Sequence, residues 1–178
     1  DLKAVKKIYA SNNRSAALLS DNSIVVWGHD SSMPKSGEKF TLFSTDADNS
    51  IGRYEDGKFK GWGYNNTKQL EIPENLHDVT QIRAGAHGYI ALRKDGTVTA
   101  WGGMVTNVPK DLNNVQEISC FTHHAFALKQ DGTVVGWGHD DYGVIAKTPA
   151  DLKNVMAVEP GRYFAAALLA DGTLRTWG

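Results

Sequence analysis

The fold is decided by the stretch Ala127-Leu128-Lys129-Gln130-Asp131-Gly132-Thr133-Val134-Val135-Gly136-Trp137-Gly138. Its Asp-Gly pair separates two short apolar runs, which is the strongest short-range signal for a β-hairpin, because glycine adopts a positive φ without steric cost. The Trp-Gly pair then ends the second strand. Since the same pattern occurs five times in the chain, the stretch predicts the structural unit of a repeat protein.

Five copies of this unit align on their tryptophans, which are each followed by glycine and are spaced by 35, 39, 36 and 40 residues. An aspartate stands six residues before every tryptophan. The aligned pairs are Asp21 and Trp27, Asp56 and Trp62, Asp95 and Trp101, Asp131 and Trp137, and Asp171 and Trp177. We interpret the tryptophans as structural, because a large ring near the end of a strand can wedge between neighbouring sheets and bury much apolar area.

Each copy predicts three short strands and a weaker fourth segment. In the third copy the strands are Val79–Ala84, Tyr89–Leu92 and Thr97–Trp101. Such strands in units of 35–40 residues indicate an all-β fold, a β-propeller with one blade per repeat. We expect a single β-propeller domain over residues 1–178, with repeats at approximately 1–33, 34–72, 73–108, 109–148 and 149–178. Two arrangements stay open: a five-bladed ring, or a fragment or open arc of a larger propeller.

Composition narrows the classes of function. The formal net charge is −1, and the chain has no long run of one sign, which argues against a nucleic-acid or membrane partner held by bulk electrostatics. No apolar run reaches the length of a membrane span. The single cysteine, Cys120, excludes an internal disulfide.

Two segments carry a family resemblance. His124–Gly138 and Ala91–Gly102 closely resemble the repeat of the regulator-of-chromosome-condensation family of β-propellers, and the motif recurs in register along the whole chain. The second copy, with Ser50-Ile51-Gly52 in place of the Ala-Leu pair, matches least. The short repeat is most similar to the bacterial branch that includes the propeller-type β-lactamase inhibitory protein. The resemblance implies a propeller, typically a closed seven-bladed ring, and a bacterial protein. The sequence does not decide between a secreted and a cytoplasmic location.

Function is expected where the copies differ, because folding explains the shared positions. Two segments vary: the loop between the first and second strands, and the segment after each Trp-Gly. Both leave the same end of an antiparallel blade, so we expect them to share one face of the propeller. Their aromatic and polar side chains suit a protein-contact surface. The candidate partner-binding residues are Asn13, Arg14, Asp48, Asn49, Tyr64, His87, His123, His124, Tyr142, Tyr163 and Phe164.

Catalytic and metal-binding constellations are not evident. Cys120-Phe121-Thr122-His123-His124 lacks the further ligands at fixed spacing that zinc requires, and Cys120 occupies a position that is small in the other copies. The chain has neither a phosphate-binding loop before a helix nor a nucleophile elbow. We therefore predict a non-enzymatic protein without a cofactor or a metal site.

The sequence favours a protein–protein interaction module that binds a partner through the variable loops, with an inhibitor-like role as one form of it. Two alternatives stay open: a lectin with glycan pockets between the blades, and an architectural spacer in a larger toxin or surface protein. A lectin that works by avidity is expected to repeat its pocket residues in every copy. The variable loops do not repeat, which favours a protein partner over a glycan.

Overall fold

Each of the five repeats folds into a three-stranded antiparallel sheet, or blade, in the computed structural model, which describes residues 2–10, 14–28, 33–46, 49–103 and 105–178. Neighbouring strands in each sheet are consecutive in the chain. The strands are β1 (Val5–Ala10), β2 (Arg14–Leu19) and β3 (Ile24–Gly28) in blade 1; β4 (Leu42–Thr45), β5 (Asn49–Arg53) and β6 (Phe59–Gly63) in blade 2; β7 (Val79–Gly85), β8 (Gly88–Arg93) and β9 (Val98–Gly102) in blade 3; β10 (Val115–Phe121), β11 (His124–Lys129) and β12 (Val134–Gly138) in blade 4; and β13 (Val155–Pro160), β14 (Ala165–Leu169) and β15 (Leu174–Trp177) in blade 5. Among the described residues, no helix is long and apolar enough to cross a membrane.

The weaker fourth segment of each repeat is not a strand in the described residues. Apart from an isolated bridge between Ser23 and Lys39, the described chain between one blade and the next consists of turns and irregular backbone. In blade 4 this segment is held by the Asp140 carboxylate, which accepts hydrogen bonds from two backbone N–H groups, those of Ile145 and Ala146. The segment is therefore a loop that is held by a side chain and not by strand pairing. Its sequence can consequently differ between repeats.

The Asp-Gly turns join the second and third strands. In blade 4, Gly132 has a φ of +78°, and Asp131 Oδ1 accepts hydrogen bonds from the backbone N–H and the hydroxyl of Thr133 at 3.0 and 2.6 Å. Blades 1, 3 and 5 repeat this arrangement with serine or threonine. In blade 2, Lys58 takes that position, and its backbone N–H donates to the Asp56 carboxylate at 3.0 Å. The repeated aspartate is therefore explained by turn geometry.

These turn aspartates should make stability depend on pH in the acid range. Hydrogen bonds from the residue two positions later lower the pKa of Asp21, Asp95, Asp131 and Asp171. A carboxylate with a depressed pKa stabilises the folded state above its unfolded-state pKa, about 3.9, and loses that contribution as pH falls through the folded-state value. We expect the triple variant Asp95→Asn, Asp131→Asn, Asp171→Asn to lose stability less steeply than wild type from about pH 4.5 to about pH 2.5. Urea unfolding at each pH measures this, and equal slopes would contradict it.

The hydrophobic core lies between neighbouring blades. Successive residues of a strand point to opposite sides of its sheet, so one strand serves two interfaces. In β11, Phe126 and Leu128 pack against blade 5, whereas Ala125 and Ala127 pack against blade 3. All four side chains are fully buried. Each internal blade is thus sandwiched between two others, and its stability depends on both neighbours.

Three tryptophans connect their blade to the preceding one. Their rings are buried, and each Nε1 donates to a backbone carbonyl in the loop that follows the third strand of the preceding blade. The donor and acceptor residues are Trp101 and Gln69 (3.0 Å), Trp137 and Val105 (2.9 Å), and Trp177 and Val144 (2.8 Å). Trp62 packs edge-on against Phe40, with 5.5 Å between ring centroids. The wedge geometry expected from the sequence is thus found between internal blades.

The two ends of the array expose positions that are buried inside it. In blade 1, Ile8 is 68% exposed and Trp27 is 45% exposed, whereas Ile118, which is equivalent to Ile8, is fully buried. In blade 5, Leu168 is 41% exposed, whereas its equivalent Leu128 is fully buried. These side chains lack the neighbouring sheet that covers their counterparts. The described blades therefore form an open arc with two exposed end faces, and not a closed five-bladed ring.

Candidate functional site

In each of blades 3 and 4, the two variable segments lie side by side. In blade 4 the backbone N–H of His139 donates to the His123 carbonyl at 2.8 Å, and in blade 3 that of Gly103 donates to the His87 carbonyl at 2.5 Å. Both segments leave the same end of the antiparallel sheet, opposite the Asp-Gly turns. We call the surface that they form the loop face; its described part includes residues 64–69, 86–88, 103, 122–124, 139–144 and 161–163.

A cleft opens on the loop face where blades 4 and 5 meet. We call it the blade 4/5 cleft, and its volume is about 80 Å³. Sites for small molecules usually enclose about 300–1,000 Å³, so this cleft suits a single side-chain head group. Its lining residues are Thr122, His123, His124, His139, Asp140, Asp141, Tyr142, Val144 and Arg162.

An aromatic pair stands at the rim of this cleft. The rings of Tyr142 and Tyr163 meet edge to face with 4.5 Å between centroids, although they come from different blades. The Arg162 guanidinium lies over the Tyr163 ring, 5.2 Å from its centroid. Both tyrosines are about half exposed, at 52% and 49%. The rim therefore presents two mutually supported phenol rings and a stacked guanidinium to solvent.

Histidines from two blades meet beside the cleft. The imidazole rings of His87 and His123 stack with 5.9 Å between centroids. Burial lowers the pKa of His123, and the nearby His87 lowers it further, whereas Asp141 raises it by a smaller amount. These surroundings favour the neutral form of the His123 ring.

The predicted contact residues divide into exposed and buried groups. Tyr64, Tyr142, Tyr163 and Phe164 are exposed large hydrophobic side chains. His87 and His123 are half-buried. The structure brings Tyr142, Tyr163 and His123 together at the cleft, whereas Tyr64 belongs to the loop of blade 2. Asn13 and Asp48 lie outside the described residues.

Three other predicted contact residues need correction, because their side chains are not accessible. Arg14, Asn49 and His124 are 6%, 0% and 4% exposed. They occupy the first position of the second strand in their blades, which faces the next blade. Asn49 Nδ2 donates to the Ala86 carbonyl at 3.1 Å, and the His124 imidazole hydrogen-bonds to the Gly161 backbone. Asn49 and His124 therefore connect blades, and none of the three buried side chains is positioned to bind a partner.

Phe164 occupies this same repeat position but is 53% exposed, because it belongs to the exposed end face of blade 5. Its equivalents Arg14, Asn49 and His124 are buried in blades that have a following blade. The alternation of side chains along a strand could have indicated that this position faces the next blade, since His124, Phe126 and Leu128 point to the same side of β11. Phe164 is thus better described as an end-face residue than as a loop contact.

The environment of Cys120 does not favour thiol chemistry. Burial raises the pKa of the Cys120 thiol well above its usual range, and this side chain packs against the core between blades 3 and 4. A reactive cysteine needs the opposite environment, which favours the thiolate. Within the described ranges, no group of three or more His, Cys, Asp or Glu side chains is arranged to hold a metal ion.

The sequence-based prediction omits several cleft residues. Thr122, His139, Asp141 and Arg162 line the cleft but are absent from the predicted set. All four lie in the variable segments, so their variability was visible in the sequence. These residues line the cleft because blades 4 and 5 are in contact, and the repeat pattern does not predict that contact.

Comparisons with known proteins identify the fold. No protein-family model matches the sequence, and neither does any curated protein sequence. Among solved structures, Prp20p from Saccharomyces cerevisiae is similar over 98% of this chain and 58% of its own, with a TM-score of 0.78 and 18% identity. The CRINKLY WD40 ectodomain of the Arabidopsis thaliana receptor kinase ACR4 is similar over 99% of this chain and 69% of its own, with a TM-score of 0.81 and 20% identity.

Human WBSCR16 is similar over 98% of this chain and 62% of its own, with a TM-score of 0.78 and 16% identity. This chain thus spans about half to two thirds of the length of the structures that it matches. Prp20p is also described as yeast RCC1. The chain therefore has the fold of regulator-of-chromosome-condensation-like β-propellers, in an arc of five described blades.

Proposed function

We propose that this chain is a non-enzymatic protein-interaction module, and that it binds its partner through the loop face with the blade 4/5 cleft at the centre of the contact. The observation that carries the proposal is the exposed cluster of Tyr142, Tyr163 and Arg162. Tyrosine and arginine dominate binding energy at protein interfaces, where rigid aromatic side chains lose little entropy. Here the aromatic rings are held against each other by loops anchored to two sheets.

Two further facts support a protein partner. Prp20p has been characterised for binding to Gsp1p and histones, and Kap60 has been found bound to it. The loop-tip position of Tyr163 is occupied by Asn13, Asp48, His87 and His123 in the other repeats. A glycan-binding propeller that uses avidity would repeat this position. The changing loop tips therefore favour one continuous contact with one partner. An inhibitor-like role is a form of this proposal in which the loop face covers the partner's active site.

The first test is a pull-down with the purified 178-residue chain and with the double variant Tyr142→Ala, Tyr163→Ala. We expect the variant to bind its captured partner at least about tenfold more weakly, because interface hot spots contribute about 2 kcal/mol or more each. Its melting temperature should stay close to that of wild type, since both rings are half exposed.

Tyr64→Ala is the matched control, because Tyr64 is similarly exposed, at 59%, but lies in the loop of blade 2. We expect this variant to retain most of the affinity. If the double variant folds and binds its partner as tightly as wild type, the cleft is not the centre of the contact and the proposal fails.

A further inference from the structure

The carboxylates of the blade 4/5 cleft are already engaged within the chain. Both oxygens of Asp140 accept backbone hydrogen bonds, from Ile145 at 2.7 Å and from Ala146 at 2.8 Å. The Asp141 carboxylate pairs with the His139 imidazole at 3.0 Å. The negative charges of the cleft are therefore used to hold its own loop and its own histidine.

The cationic side of the cleft lacks a matching anion. Within the described part of the chain, the Arg162 guanidinium contacts the Tyr163 ring and makes no ion pair. The same blade carries a second exposed arginine, Arg175, whose guanidinium pairs with Asp151 at 3.2 Å. Arg162 thus differs from its neighbour in having an aromatic platform but no carboxylate. Aromatic stacking holds a guanidinium in place while leaving its N–H groups free to donate.

A threonine lines the same cleft as Arg162. Thr122 is a lining residue, and its Oγ1 atom is buried behind the cleft surface without a hydrogen-bond partner in the described residues. Thr122 also has a φ of +48°, in the left-handed region that β-branched residues rarely adopt. Backbone strain of this kind is often found at binding sites. The wall of the cleft therefore contains a buried hydroxyl that has no acceptor.

We infer that the blade 4/5 cleft binds a carboxylate side chain, Asp or Glu, of the partner protein. This inference rests on the proposed function and adds the chemistry of the contact. Arg162 supplies a guanidinium at the rim, and the tyrosine pair packs around the methylene of the entering side chain. The Thr122 hydroxyl, which has no acceptor in the free protein, turns toward the bound carboxylate. A guanidinium and a carboxylate form paired, charge-assisted hydrogen bonds. A lysine of the partner would instead meet the Arg162 guanidinium and two aspartates whose carboxylates already form hydrogen bonds within the chain.

The histidines make this contact dependent on pH. His123 is faced by His87 from blade 3, His139 and Asp141 from the loop after β12, and Arg162 from blade 5. In the free protein, burial and then the nearby His87 hold the pKa of His123 below its usual value. A bound carboxylate favours the protonated ring, so binding takes up a proton. Affinity is expected to rise as pH falls from about 7.5 to about 5.5, where aspartate is still ionised.

The test uses the full chain, labelled with ¹⁵N, and a hexa-aspartate peptide as the probe, with hexa-asparagine as the neutral comparison. We expect hexa-aspartate to bind at least about tenfold more tightly, because a hydrogen bond to a charged group is stronger than one to a neutral amide. Shifts of backbone amide signals should concentrate at Thr122, His123 and Arg162. Affinity for hexa-aspartate should increase at least about threefold between about pH 7.5 and about pH 5.5.

Arg162→Gln should lower affinity for hexa-aspartate about tenfold, whereas the matched variant Arg175→Gln should leave it within about twofold. Equal binding of the two peptides, or equal losses in the two arginine variants, would overturn the inference. If hexa-aspartate fails to bind at the cleft while Tyr142→Ala, Tyr163→Ala still loses the captured partner, the carboxylate inference fails and the proposed function stands. If the tyrosine variant also retains its partner, both fail.

Discussion

Replacing Trp137 with alanine is expected to lower the free energy of unfolding by about 3–5 kcal/mol, the range for truncating a buried large aromatic side chain. The ring is 4% exposed and packs in the core between blades 3 and 4. Its Nε1 donates to the Val105 carbonyl at 2.9 Å, so truncation also removes the partner of a backbone acceptor in the adjoining loop. The variant should therefore loosen a whole interface between blades. Urea unfolding followed by circular dichroism measures the effect.

Trp27→Ala is the matched control for this experiment. Trp27 occupies the same repeat position but is 45% exposed on the end face of blade 1. Because burial energy scales with the apolar area removed from water, we expect a loss of only about 1 kcal/mol. A Trp137→Ala protein as stable as Trp27→Ala would show that the tryptophan position does not join the blades.

Replacing Gly138 with alanine is expected to cost about 2–5 kcal/mol, because the substitution adds two separate penalties. Gly138 has a φ of +109°, which is unfavourable for residues with a Cβ atom. A Cβ there would also lie against the His123 carbonyl oxygen and 2.9 Å from the His124 Cα. The two strand ends would have to separate, although they carry the loops of the blade 4/5 cleft.

Gly172→Ala distinguishes the two penalties. Gly172 also has a positive φ, +84°, but a Cβ at this turn would meet no atom within 4 Å. We expect a cost of about 1–2 kcal/mol from the backbone conformation alone. Thermal unfolding of both variants gives the comparison. Equal losses would mean that the close approach of His123 to Gly138 does not matter for stability.

The local sequence pattern was sufficient to predict the strands and turns. In blade 4, β11 and β12 pair with Leu128 opposite Val134 and Ala127 opposite Val135, around the Asp131-Gly132 turn that the sequence predicts. This agreement has a local cause, because the turn residues are contiguous and the apolar alternation selects the register. Five in-register copies repeat the same evidence, which is why the all-β propeller fold was predictable from one chain.

The candidate site was predictable only as a surface. Variable loops indicated the loop face, and Tyr142, Tyr163 and His123 do lie together at the cleft. The same variability also included Arg14 and Asn49, which are buried against the next blade. Variability of a loop position indicates only that the repeat does not require one residue type there. It does not distinguish an exposed loop tip from a polar side chain that is buried between two blades.

The sequence by itself determined the five repeats, the hairpin turns and the end of the sheet at which variation is concentrated, because short-range sterics and side-chain alternation act within one blade. Only the tertiary structure decided which equivalent residues are buried. Trp137 and Trp27 share one local sequence pattern, yet one is 4% exposed and the other 45%. Burial depends on whether a second sheet packs against the side chain, and the meeting of Tyr142 with Tyr163 likewise requires two blades.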